Sequence, residues 1–91
     1  MKRSISQLID KISEARRVGA ITQVRASADT FTSVLTLEKT VAHKLQFEVA
    51  TLMSTPVMEK LKSYISDNFK NVLYVNVTHT TITITYTQDH A

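Results

Sequence analysis

Residues 41–51 read Val41-Ala42-His43-Lys44-Leu45-Gln46-Phe47-Glu48-Val49-Ala50-Thr51, and their two-residue rhythm decides the fold. Odd positions are mostly apolar, and even positions mostly polar or small. Successive side chains of a strand point to opposite faces, so this order predicts a half-buried strand. Val41, Leu45, Phe47 and Val49 belong to its dry face, and Lys44, Gln46 and Glu48 to its wet face. The competing reading is one long helix over residues 33–53. It would set Val34, Thr36, Thr40, Val41 and Val49 in helical positions, where β-branched side chains lose rotamer freedom. The strand is preferred.

Working outward, residues 21–28 predict a strand with Val24, Ala26 and Ala28 on one side and Gln23, Arg25 and Ser27 on the other. Asp29-Thr30 suits a turn, because Asp tolerates left-handed geometry and bonds its own backbone. Residues 31–37 then form a further strand, with Phe31, Leu35 and Leu37 on one face and Thr32 and Thr36 opposite. Glu38-Lys39-Thr40 leads into the central strand. On the other side, Thr55-Pro56 opens a helix whose apolar arc is Val57, Met58, Leu61, Ile65 and Phe69, with Asn71 as its left-handed stop. A hairpin follows. Leu73, Val75 and Val77 alternate with Tyr74 and Asn76, Thr78-His79-Thr80 turns, and Ile82, Ile84 and Tyr86 alternate with Thr81, Thr83 and Thr85. Residues 88–91 should fray.

At the other end a helix is predicted over residues 4–18. Ser4 is its N-cap, and Gln7 completes a capping-box pattern. Ile5, Leu8, Ile9, Ile12 and Ala15 form one apolar stripe. Gly19, the one glycine of the chain, falls where a left-handed residue closes a helix, and Arg16 and Arg17 face the negative end of its dipole. The expected architecture is therefore α+β, in the order α-β-β-β-α-β-β. It is a single domain over residues 1–91, a five-stranded antiparallel sheet with two helices packed on one face. The connections are too short for parallel crossovers.

Composition narrows the function. The chain has 91 residues, 43% hydrophobic and 21% charged, which is ordinary for one globular domain. No apolar run approaches the roughly 20 residues of a membrane helix. Asp10 and Lys11 interrupt the stretch after the basic Met1-Lys2-Arg3, so no signal peptide is predicted. The absence of cysteine removes disulfides, thiolate metal sites and thiol nucleophiles, and suits a reducing cytoplasm. His43, His79 and His90 sit on different elements; the first reads as a core or rim residue, the second as a polar turn residue. No zinc-type histidine pair, glycine-rich phosphate loop or nucleophile elbow is present. The expectation is a non-enzymatic domain with no cofactor and no metal.

Binding is the remaining class. The net charge is +3, and residues 1–28 hold six cations against two acids, while the rest holds five lysines against six acids. If helices cover one sheet face, the other presents Arg25, Lys44, Gln46, Tyr74 and Asn76, with Arg17 a further cation at the end of the first helix. Cations meet phosphates, a tyrosine stacks on a base and amides read base edges, so these six are the candidate nucleic-acid contacts. The competing partner is a protein. It is either a host protein bound by a small phage or accessory protein, or a second copy paired through a sheet face or an edge with few charges, such as 31–37 or 81–87.

Two comparisons follow from element order. Helix, three strands, helix is the order of double-stranded-RNA-binding domains, but their Gly-Pro and Lys-rich helix start is missing at Thr55-Pro56-Val57-Met58-Glu59-Lys60. Residues 21–87 resemble more closely the double-wing C-terminal domain of the phage transcription factor MotA. Val24-Arg25-Ala26-Ser27, Leu45-Gln46-Phe47-Glu48-Val49 and the hairpin over residues 72–86 carry the likeness, which is one of element order and strand parity. The resemblance implies duplex DNA contact through the hairpins, alongside RNA polymerase.

Overall fold

A computed structural model describes residues 2–32, 35, 37 and 39–87. The elements are α1 (Ile5–Arg17), β1 (Ile21–Thr32), β2 (Lys39–Val49), α2 (Thr55–Asn68), β3 (Val72–Val77) and β4 (Thr81–Thr87). The class is α+β, but the sheet has four antiparallel strands, ordered β1-β2-β4-β3, in place of the expected five. The element order is α-β-β-α-β-β.

The lost strand has a local cause. Asp29 and Thr30 do not turn; they continue the ladder opposite Ala42 and Val41, so β1 runs for 12 residues. The turn preference of a single Asp is outweighed by β-branched threonines pairing with the whole of β2. Reversal comes after Thr32, where Leu35 lies in a turn and Leu37 takes φ 57°. Ser33, Val34, Thr36 and Glu38 of the expected third strand and its connection lie outside the described residues, as do residues 88–91 with His90. β4, expected as a free edge, has β2 on one side and β3 on the other.

The register explains the core. Val24, Phe47, Ile82 and Val77 stand side by side across the four strands, as do Ala26, Leu45, Ile84 and Val75. Leu8 and Ile12 of α1, Ile65 of α2 and Phe69 just after it join Leu45, Phe47, Val75, Ile82 and Ile84 in one buried cluster. Both helices therefore lie over this face, and Lys11 of α1 donates to Tyr64 of α2 at 3.1 Å. Each such side chain taken from water contributes roughly 1.5–3 kcal/mol.

The helix ends follow local chemistry. Gly19 takes φ 83°, and the N–H groups of Gly19 and Ala20 donate back to the carbonyls of Arg16 and Ala15 at 3.1 and 2.9 Å, a Schellman closure. Ser4 caps α1 without the expected capping box: its hydroxyl meets that of Ser6 at 2.8 Å. Ser54, rather than Thr55, is the N-cap of α2. Val57, placed on the apolar arc, is exposed, whereas Phe69 leaves the helix in an extended conformation and is buried. Asn71 is left-handed (φ 63°) as expected and leads into β3.

β4 pairs with β2 only between Ala42 and Glu48. Beyond that, β1 and β2 continue as a two-stranded ribbon, and among the described residues no strand pairs with either of its outer edges. The molecule is accordingly elongated, 43 × 26 × 25 Å, with a radius of gyration of 14.0 Å. A compact chain of this length has about 12 Å. Val41 keeps its inward parity but stands on the ribbon and is 45% exposed.

Candidate nucleic-acid interface

The face away from the helices is set by the same register. Its rows are Ser27, Lys44, Thr85 and Tyr74; Arg25, Gln46, Thr83 and Asn76; and Gln23, Glu48 and Thr81. Adjacent strands lie about 4.8 Å apart, so each four-residue row is about 14 Å wide. Two irregularities fix its composition. Ile21 pairs with Val49 and Gln23 with Glu48, so the intervening Thr22 is bulged and Gln23 turns outward. Likewise Val72 pairs with Tyr86 and Tyr74 with Thr85, which bulges Leu73. Leu73, expected in the core, is half exposed, and Val72 takes its inward place.

Five of the six candidate contacts, Arg25, Lys44, Gln46, Tyr74 and Asn76, thus come together on two neighbouring rows. Arg17 does not join them: it ends α1 in the helix layer and pairs with Glu14 at 3.3 Å.

The details are electrostatic. With its amide oriented by its neighbour, Gln23 accepts from Arg25 Nη2 and Nε at 3.1 and 3.2 Å. That contact lays the guanidinium along the strand, beside a shallow groove lined by Gln46 and Glu48. Glu48 at one border and Asp29 at the other, two residues beyond Ser27 on the same face of β1, each place a negative charge, so the two cations Arg25 and Lys44 lie between two acids. Tyr74 is 60% exposed and offers its ring to solvent. Thr85 is buried between Lys44 and Tyr74, and among the described residues its Oγ1 has no hydrogen-bond partner. A buried hydroxyl without a partner is costly, and a polar ligand atom seated between Lys44 and Tyr74 would supply one.

The two described histidines make packing and hydrogen-bond contacts within the fold. His43 stacks on Tyr86 with ring centroids 5.3 Å apart, on the helix-covered side. His79 does more than fill a turn. Its Nδ1 lies 2.8 Å from the Met53 carbonyl, which can only accept, so Nδ1 carries the proton. Met53 N–H returns a bond to the His79 carbonyl at 2.8 Å, tying the β3–β4 turn to the segment before α2. A single sequence gives no signal for that tie, because the partners are 26 residues apart.

Among the described residues no three His, Cys, Asp or Glu side chains gather as metal ligands, and no helix is long and apolar enough to cross a membrane. A cavity of about 270 Å³ lies where the N-terminus of α1 meets the end of β4, lined by Ser4, Ile9, Asn71, Tyr86 and Thr87 among others. No family model, no curated protein and no solved structure matches this chain.

Proposed function

We propose that the protein is a non-enzymatic binding domain that takes a nucleic-acid strand on the outer face of its sheet, in a reducing compartment such as the cytoplasm. The observation that supports this most is the convergence of Lys44, Tyr74 and the orphan Thr85 hydroxyl on one row, flanked by Arg25, Gln46 and Asn76 on the next. Cations hold the phosphates, Tyr74 stacks a base, and the amides and hydroxyl address base or sugar edges. Fluorescence anisotropy with single-stranded and duplex DNA and RNA, at low and rising salt, tests it. Binding that weakens in the Arg25→Ala/Lys44→Ala variant supports the reading. No binding to any of the four at low salt, or binding unaltered in the double variant, sinks it.

A second reading has its own observation. Leu35 and Leu37 at the far end of the ribbon are 94% and 79% exposed, and large apolar side chains held that far from the body suit a protein partner. Leu35→Ser/Leu37→Ser, tested against candidate proteins in a pull-down, separates this contact from the sheet face.

A further inference from the structure

We infer that two copies of this chain join edge to edge along β1, antiparallel about Ser27, into one eight-stranded sheet. β1 is the long edge of the sheet, and among the described residues no strand pairs with its outer side. The opposite edge, β3, has 6 residues and is interrupted by the Leu73 bulge. Natural proteins break up exposed edges with lysines, prolines or bulges. From Gln23 to Thr32, β1 has none of these, and its only charges are Arg25 and Asp29.

Those two charges choose the register. In an antiparallel pair about Ser27, Arg25 stands opposite the partner's Asp29, and Asp29 opposite the partner's Arg25. Both lie on the same face, because residues directly opposite share a face. Ala26 then faces the partner's Ala28, which lets the backbones approach, and Val24 faces the partner's Thr30. Sliding the strands by two residues leaves both charges opposite neutral side chains. Sliding by four sets Arg25 against Arg25 or Asp29 against Asp29. Among the described residues neither Arg25 nor Asp29 has an oppositely charged group within 4.0 Å in the single chain. The same register sets the partner's Val24 beside Thr30, in the row that continues to the exposed Val41, giving the β1 edge of the ribbon a neighbour.

The test is mass in solution, measured by sedimentation equilibrium without nucleic acid, so that its outcome does not depend on the proposed ligand. The wild-type chain should reach twice its 10.2 kDa. Arg25→Asp and Asp29→Arg should each weaken the dimer by at least about tenfold, since like charges then face each other across the dyad. The combined Arg25→Asp/Asp29→Arg variant should restore it. Because the chain has no cysteine, Ser27→Cys gives a second readout. Residues opposite each other in an antiparallel pair have Cα atoms about 4.5–5.5 Å apart, within disulfide reach. Diamide should link Ser27→Cys into covalent dimers and leave Thr22→Cys unlinked. A monomer at every concentration, a dimer indifferent to both single swaps, or a Ser27→Cys chain that fails to link would overturn the inference. Circular dichroism confirms that each variant is folded, and the cysteine pair decides alone if a swap is not.

Discussion

Tyr64 accepts a hydrogen bond from Lys11 at 3.1 Å, and the ammonium stands 5.7 Å from its ring centre. That bond, with the nearby charges of Lys11 and Arg3, holds the phenol below its ordinary value of 10.0 against a smaller opposing effect of desolvation. The folded chain therefore favours the ionised form. This contribution to stability is present above the ordinary tyrosine range and is lost as pH falls through the lowered value. Lys11→Ala should move the Tyr64 titration back upward, read from its ring-carbon shift in NMR. The side chain that decides stability is Phe47, 5% exposed and packed between Val24 and Ile82. Phe47→Ala should cost about 3–5 kcal/mol in urea denaturation. A loss below about 1 kcal/mol would mean that the face of β2 has been misassigned.

At the level of elements, α1 was legible because its ends are local: Ser4, Gly19 and the apolar stripe act within a few residues. The alternation of β2 was legible for the same reason, and with it most of the outer face, since parity alone places Lys44 and Gln46 there. What the sequence hid depends on distant partners. Asp29 reads as a turn until Ala42 is seen opposite it, and Leu73 reads as core until its bulge is seen. Arg17 was grouped with the other cations by charge, but charge carries no information about which layer a helix joins. The ribbon has a measurable signature. Among the described residues nothing pairs with the outer edge of β2 beside Thr40 and Val41, so their amides should exchange sooner than those of Ile82 and Ile84, which are at most 2% exposed. Equal protection in native-state hydrogen exchange would show that the ribbon is covered in solution.

For the whole molecule, the outer face brings two cations, an exposed aromatic ring and two amides together. If Arg25 and Lys44 each neutralise one phosphate, removing both should reduce the slope of log affinity against log salt by about 1.4 on a single strand. Removing Tyr74 should cost about 1–3 kcal/mol through lost stacking. The order β1-β2-β4-β3 also bears on how the chain assembles. β4 is the last described strand to be synthesised, yet it belongs in the middle. A nascent chain that has emerged only as far as Thr78 holds a ribbon whose Leu45 and Phe47 have no strand beside them on that flank. Closure of the sheet must wait for the final hairpin to leave the ribosome, and until then the half-built molecule depends on chaperones or on speed to avoid sticking to its neighbours.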